Sequence, residues 1–164
     1  MSEPLEIVAR RGRAGRSQVY PDGLVIRPFE LGDLRRGFLE TLSALAPTEL
    51  TPEEAESICQ ARCARGIRTF VALLQGRVVG TASLFCEPKL IHSGGWVGHI
   101  EDVAVHPECR RRGIGTALVK HLVEEAQANG CYKVILNCYE HLLPFYQRAG
   151  FRAHDICLRR DLYA

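Results

Sequence analysis

A basic, glycine-containing turn is the strongest candidate for chemistry in this chain. Residues 110–115 read Arg-Arg-Arg-Gly-Ile-Gly and precede a segment with helical periodicity. At such a helix start, unpaired backbone N–H groups and the positive end of the helix dipole face any anion that comes close. The turn therefore predicts a pyrophosphate cradle, and the alternative is a basic turn that only leads into a helix.

The spacing within this turn excludes two better-known phosphate loops. Leu118 stands where a dinucleotide-binding fingerprint requires glycine or alanine. No Gly-Lys-Ser or Gly-Lys-Thr closes the loop, as a nucleoside triphosphate site requires. What remains is a basic x-x-Gly-x-Gly turn that follows a strand-like run carrying Glu101 and Asp102.

Glu101, Asp102 and Tyr146 carry side-chain groups that can exchange protons. Adjacent residues of a strand point to opposite faces, so we expect only one of the two carboxylates to face a ligand. Glu101 could bind a polar substrate or accept a proton through water, and the alternative is an exposed strand edge. A phenol with an ordinary pKa of about 10 stays a proton donor at neutral pH, and the alternative for Tyr146 is a tyrosine at the edge of the core.

The rest of the chain predicts the elements that position these residues. Periodicity and turn signals indicate strands at residues 24–28, 69–74, 78–85, 97–105, 131–138 and 151–163. They indicate helices at residues 31–46, 51–66, 113–128 and 141–149. This order is typical of an α/β chain of the α+β kind, with a central mixed sheet flanked by about four helices.

Composition limits the class of protein. The chain has 164 residues, 46% of them hydrophobic, and a formal net charge of +2. This length fits one domain, expected at residues 21–164, and the charge is too small to indicate a nucleic-acid partner.

No apolar stretch suits a membrane span or a signal peptide, so we expect a soluble, cytoplasmic protein. Residues 1–20 resemble a flexible basic arm, with organellar targeting as the alternative. The seven cysteines lack paired ligand spacing, so no metal site is expected.

Several motifs together resemble one enzyme family. The run at residues 98–118 resembles the coenzyme A loop of the GNAT superfamily of N-acetyltransferases, and Phe-Tyr-x-x-x-Gly-Phe at residues 145–151 is also typical of that superfamily. Lys-Leu-Ile-His at residues 89–92 and Cys-Tyr-Lys at residues 131–133 are more specific and resemble the glucosamine 6-phosphate N-acetyltransferases. The resemblance implies the GNAT fold and acetyl transfer from acetyl-CoA to the amino group of glucosamine 6-phosphate, a step toward UDP-N-acetylglucosamine. It also implies direct transfer in a ternary complex and a homodimer with sites near the subunit interface.

The same resemblance implies roles for individual residues. The residues implied to bind the coenzyme are Asp102, Val103, Val105, Arg110, Arg111, Arg112, Gly113, Ile114, Gly115, Thr116, Tyr146 and Arg148. The residues implied to bind the sugar phosphate are Lys89, Leu90, Ile91, His92, Glu101, Asp102, Tyr132, Lys133, Asn137 and Arg160. The implied catalytic residues are Glu101, Tyr146 and Asn137. Tyr146 would donate its proton to the departing sulfur, and a bulge at Asp102 and Val103 would offer backbone groups beside the thioester.

Three positions depart from the family pattern. Asn137 stands where the family has a carboxylate, and an amide accepts a hydrogen bond but cannot take a proton. Leu142 replaces an asparagine that bonds the coenzyme, and Ala46 or Thr48 stands near a threonine that touches the sugar phosphate. Either the substrate is a relative of glucosamine 6-phosphate, or water and Glu101 carry the proton.

These departures leave alternatives open. The acceptor could be a different amino sugar, a polyamine or a protein N-terminus, although an apolar or peptide substrate would give the basic set at Lys89, His92 and Lys133 no shared purpose. The chain could also be a non-catalytic regulator that binds acyl-CoA. A covalent route through Cys138 is disfavoured, since no motif holds a histidine near it.

Overall fold

One twisted sheet with helices on both faces contains almost all of the regular structure. The computed structural model describes residues 15–20 and 22–162. Its strands are β1 (Gln18–Val19), β2 (Val25–Pro28), β3 (Ile67–Leu74), β4 (Arg77–Pro88), β5 (Trp96–Val105) and β6 (Cys131–Ile135). Its α-helices are α1 (Phe38–Leu42), α2 (Pro52–Ala64), α3 (Ile114–Ala128) and α4 (Leu143–Arg148). The six strands lie in chain order and are antiparallel except for the parallel pair of β5 and β6, which confirms the predicted mixed sheet.

Helix α3 packs along one face of the sheet and forms the larger core. Its apolar side buries Leu118, Leu122 and Ala126 against Phe70 of β3 and Leu84 of β4. A stripe of this kind is typical of a helix lying on a sheet. The start of α3 is therefore held beside the end of β5.

Helices α1 and α2 cover the opposite face, where Phe38 and Ala55 pack against Val71 and Val78. Helix α2 begins as the sequence predicts, with a capping box in which the Thr51 hydroxyl accepts a hydrogen bond from the Glu54 N–H at 3.2 Å. None of the helices in the described part of the chain is both long and apolar enough to cross a bilayer.

The helix predicted at residues 31–46 is interrupted, so that prediction was wrong in its continuity. A 3₁₀ turn at Leu31–Arg35 leads into Gly37, whose φ of +94° is left-handed and suits glycine. At this break the carbonyl of Arg36 accepts a hydrogen bond from the Val78 N–H at 2.8 Å. The apolar residues do recur at helical spacing, but the hydrogen bond to β4 replaces a continuous helix at this point.

The two ends of the domain also differ from the predictions. β6 ends at Ile135 rather than at residue 138, and its side chains are exposed or half-buried rather than buried. Residues 151–162 form no strand, although strands were predicted at 151–163, because no strand among the described residues pairs with them. Residues 18–19 of the expected arm pair with β2, and residues 1–14 lie outside the described residues.

Gly80 in β4 generates a first prediction about how α3 is seated. A Cβ at this position would lie 2.8 Å from Leu118 Cδ1 and 3.0 Å from Ile114 Cγ2. Gly80→Val should lower the free energy of unfolding by about 1–3 kcal/mol, because the added methyl groups force the start of α3 away from the sheet. Urea unfolding measures the change. Gly32→Ala is the control, since nothing lies within 4 Å of its added Cβ. Equal unfolding midpoints for Gly80→Val and the wild type would contradict this packing.

Candidate active site

A β-bulge interrupts the pairing of β4 with β5 in the middle of the sheet. Ser83 pairs with Glu101 and Thr81 with Ala104, so Ala82 faces two residues of β5, Asp102 and Val103. Asp102 has a φ of +53°, which is unusual for a residue with a side chain. The bulge takes backbone groups of β5 out of the ladder, as the resemblance implied, and leaves them available to a ligand.

Arg62 of α2 holds the bulge from one side. Its guanidinium donates to the hydroxyl of Ser83 at 2.8 Å and to the carboxylate of Asp102 at 3.3 Å. Ser83 lies on the same face as its partner Glu101, so the Asp102 carboxylate is also turned toward that face. The expectation that the adjacent carboxylates point to opposite faces was therefore wrong, because the left-handed φ of Asp102 breaks the alternation of the strand. Sequence reasoning missed Arg62, which has no local signal on α2.

The sheet opens between β5 and β6 just before the bulge. The parallel pairing of β5 with β6 ends at His99 and Ile135, and Asn137 lies exposed two residues beyond that last pair. Tyr146 of α4 is 8% exposed. Burial, followed by the charges of Cys138 and Glu101, raises the pKa of Tyr146, so its hydroxyl is a proton donor at neutral pH. The structure thus brings Glu101, Tyr146 and Cys138 to one opening.

The basic turn lies at the other end of β5. Gly113 has a φ of +79° and precedes the first residue of α3, whose first-turn N–H groups point toward the turn. Arg110, Arg111 and Arg112 form no ion pair with any carboxylate of the described residues. This positive helix end, with uncompensated cations, can bind an anion.

The remaining predicted coenzyme residues adjoin this turn. Val105 is the last residue of β5, Thr116 lies in the first turn of α3 and Arg148 ends α4. Glycine is needed at position 115, where a Cβ would lie 3.2 Å from Phe145 Cζ and 3.5 Å from Val105 Cγ2. The close approach of α3 and α4 places the basic turn and Tyr146 along one edge of the opening.

The predicted basic set is assembled in part. The connection between β4 and β5 places the His92 ring 5.1 Å from the Tyr132 ring, and Lys133 Nζ lies 5.7 Å from the same ring. Leu90 and Ile91 of this connection are exposed. Arg160 lies in the exposed segment 151–162, and among the described residues no hydrogen bond or ion pair joins it to this cluster.

A second carboxylate adjoins this basic set. Glu87, near the end of β4, accepts a hydrogen bond from His99 Nε2 at 2.9 Å and pairs with Lys89 Nζ at 2.6 Å. Those two hydrogen bonds, the one from Lys89 first, lower the pKa of the Glu87 carboxyl, which keeps it ionised. Sequence reasoning placed Glu87 in a loop and missed it; the pairing of β4 with β5 brings it to His99.

Comparisons with known proteins agree with this arrangement. A family model described as the acetyltransferase (GNAT) family matches residues 33–151. The chain is 45% identical over 142 residues to the glucosamine 6-phosphate N-acetyltransferase of Trypanosoma brucei brucei, covering 85% of this chain and 96% of that relative. It is 39% identical over 158 residues to glucosamine 6-phosphate N-acetyltransferase 1 of Oryza sativa subsp. japonica, covering 92% and 93%. The crystal structure of glucosamine-6-phosphate N-acetyltransferase from Arabidopsis thaliana matches with a TM-score of 0.81 at 30% identity, covering 85% and 99%. The family match includes every helix and strand that forms the site.

The buried phenol of Tyr146 predicts a measurable pH dependence of stability. Because its folded-state pKa is raised above 10.0, the folded protein keeps a proton that the unfolded chain releases. Stability is therefore fully present below the unfolded pKa and is lost as the pH rises through the folded one. Urea unfolding between about pH 8 and about pH 11 should show a shallower loss for Tyr146→Phe than for the wild type. Tyr139→Phe, at an exposed tyrosine, is the control. Equal slopes for the wild type and Tyr146→Phe would argue against this environment.

Proposed function

Because the chain belongs to the GNAT family of acetyltransferases, we propose that it transfers the acetyl group of acetyl-CoA to the amino group of glucosamine 6-phosphate. The observation that carries the proposal is the opening between β5 and β6, which has a basic helix start on one side and a basic aromatic cluster on the other. A reaction between two phosphorylated substrates needs an anion site for each of them, one on either side of the reaction centre. The product would be N-acetylglucosamine 6-phosphate, a precursor of UDP-N-acetylglucosamine.

The turn at residues 110–115 would hold the pyrophosphate of acetyl-CoA. Its backbone N–H groups and free arginine side chains supply donors and positive charge, and Gly115 lets α3 and α4 approach closely. The thioester would then extend along the edge of β5 toward the bulge at Asp102 and Val103. Direct transfer in a ternary complex follows, because both substrates meet at this opening.

Lys89, His92 and Lys133 would bind the phosphate of the amino sugar. They lie on the β4–β5 connection and on β6, with His92 and Lys133 both packed near the ring of Tyr132. Charge-assisted hydrogen bonds from such groups select a phosphorylated sugar over its unphosphorylated form. Glu101, on the same side of the opening, would bind the sugar near its amine.

The acyl transfer itself needs an oxyanion site and a proton for the leaving sulfur. Backbone N–H groups freed at the bulge would stabilise the oxyanion, and Arg62 keeps the bulge in place. The Tyr146 hydroxyl, kept protonated by burial, would donate to the sulfur. Asn137 can orient the amine by accepting a hydrogen bond, but it cannot remove a proton.

We further propose that the active form is a homodimer in which a second copy covers the exposed C-terminal segment. Ile156, Leu158 and Leu162 alternate along residues 151–162 and are 87%, 90% and 78% exposed. Among the described residues, β6 pairs with β5 alone, so its other edge is open. An unpaired apolar segment and an unpaired strand edge on the same chain are complementary between two copies. Arg160, which lies on this exposed segment, would then reach the site of the other copy.

A thiol-release assay tests the acceptor. The protein is incubated with acetyl-CoA and a panel that includes glucosamine 6-phosphate, glucosamine, a polyamine and a peptide. We expect kcat/KM for glucosamine 6-phosphate to exceed that for glucosamine by about tenfold or more, since the phosphate adds charge-assisted hydrogen bonds. Lys133→Ala should narrow this ratio, whereas Lys120→Ala, at an exposed lysine of α3, should not.

Two results would overturn the assigned reaction. Turnover with another amine but none with glucosamine 6-phosphate would replace the acceptor. Binding of acetyl-CoA without thiol release in the presence of any amine would identify a regulator instead.

Sedimentation analysis tests the dimer. The double variant Ile156→Asp with Leu158→Asp should weaken dimerisation by about tenfold or more, because two charges would be buried at the interface. Val19→Asp is the matched control, since Val19 is equally apolar and is exposed on β1 at the opposite edge of the sheet. A wild-type monomer, or dimers equally stable in the wild type and the double variant, would contradict the proposed contact.

A further inference from the structure

The acceptor amine must lose a proton before it can attack, and the site needs a group to receive it. Asn137 cannot do so. Asp102 is engaged by Arg62, so Glu101 and His99 are the other side chains of β5 near the opening that can bind a proton. An ordinary glutamate titrates at about 4.3 and an ordinary histidine at about 6.5, so an imidazole is better matched to proton transfer near neutral pH.

His99 is held in one orientation by a carboxylate. Its Nε2 donates a hydrogen bond to Glu87 Oε2 at 2.9 Å, and the Phe85 ring centre lies 5.9 Å from the imidazole centre. With the proton on Nε2, the other ring nitrogen, Nδ1, carries the free lone pair. A base whose tautomer and orientation are set by a carboxylate is the arrangement that general-base histidines use.

The free nitrogen of His99 is accessible. No side chain among the described residues bonds to Nδ1, and this atom is not one of their buried unpartnered nitrogens. The side chain as a whole is 25% exposed. Nδ1 is therefore open to solvent and to a bound substrate.

The position of His99 in the sheet places it at the reaction centre. It forms the last ladder pair with Ile135, at the point where β5 and β6 separate. His99 and Glu101 are alternate residues of β5 before the bulge, so their side chains lie on the same face. Asn137 follows Ile135 by two residues on the neighbouring strand.

The charged groups around His99 come from several elements and nearly balance. Glu87 and Lys89 flank it from β4 and the following connection, and Glu101 lies beside it on β5. Lys133 on β6 and Arg62 on α2 contribute positive charge from the same face. Of the charged groups among the described residues, Glu87 is the one that hydrogen-bonds the ring.

We propose that the Glu87–His99 pair accepts the proton that the acceptor amine releases in the acetyl transfer, an inference that rests on the proposed function. Nδ1 takes one proton from the substrate ammonium, and the freed nitrogen lone pair forms the N–C bond with the thioester carbon. The C–S bond then breaks, the sulfur takes the Tyr146 hydroxyl proton, and Tyr146 recovers the second proton from the amine nitrogen. The imidazolium returns its proton to water. One ammonium and one thioester thus yield one amide, one thiol and one proton.

His99→Gln provides the test, since glutamine can still donate to Glu87 but cannot take a proton. For the amine that the wild type uses best, kcat/KM near neutral pH should fall by about 10²–10⁴-fold. The loss should shrink as the pH rises, because the amine then loses its proton to solvent without help. Glu87→Gln should give a smaller loss, and the double variant should be no worse than His99→Gln, since the two residues act as a unit.

Controls separate this role from a structural one. The KM for acetyl-CoA and the thermal midpoint of His99→Gln should both stay close to wild type. A loss that is equal at every pH, or a kcat/KM for His99→Gln within about threefold of wild type, would overturn the proposal. If the wild type uses another amine and not glucosamine 6-phosphate, the proposed function fails while the same profile, run with that amine, still decides the role of His99. No turnover with any amine would overturn both.

Discussion

The seating of α3 on β4 and β5 is the constraint on which the candidate site depends. Gly80 and Gly98 leave room for the helix, because a Cβ at Gly80 would overlap Leu118 and one at Gly98 would lie 3.0 Å from Ala126 Cβ. Because α3 packs along the sheet in this position, its first residue lies near the end of β5. The position of the basic turn relative to the bulge is therefore set by this packing, although the two belong to different elements. In the proposed complex, a coenzyme held at the basic turn would therefore have its thioester directed toward the bulge.

In the proposed reaction, the chemistry takes place where strand pairing around β5 is interrupted. The bulge at Asp102 and Val103 releases backbone groups on one side of β5, and the end of the parallel pairing at His99 releases the other side. An unpaired backbone group buried without a partner is costly, so groups released from the ladder need other partners, such as a ligand or water. Arg62 binds the side chains of Ser83 and Asp102 together, which keeps the left-handed residue in place. The backbone groups proposed to bind the ligand are thus ones that do not pair with a neighbouring strand.

Local signals in the sequence were enough for some of this arrangement. The turn at residues 110–115, the capping box at Thr51 and the hairpin between β3 and β4 each lie within a few residues, so their chemistry can be read directly. The contact of Arg62 with Asp102 spans 40 residues and needs the register of α2 over the sheet, which no local pattern encodes. Adjacent side chains at Glu101 and Asp102 do not point to opposite faces, because the left-handed backbone of Asp102 turns its side chain back to the face of Glu101.

The C-terminal segment shows a different limit of sequence reasoning. Its alternating apolar residues predict a strand, and the alternation of Ile156, Leu158 and Leu162 is present in the sequence. A strand is nevertheless defined by its partner, and the described residues of this chain offer none to 151–162. The proposed dimer contact would give this alternating segment the partner that the described residues of one copy do not supply.

Charge balance links the two halves of the proposed site. The arginines of the basic turn have no carboxylate partner among the described residues, whereas Lys89 is already paired with Glu87. A bound phosphate would compete with Glu87 for Lys89, and it carries more negative charge than a single carboxylate. Glu87 would then be left with His99 as its remaining partner. In the proposed mechanism, recognition of the phosphate and removal of the proton would thus share one carboxylate, Glu87.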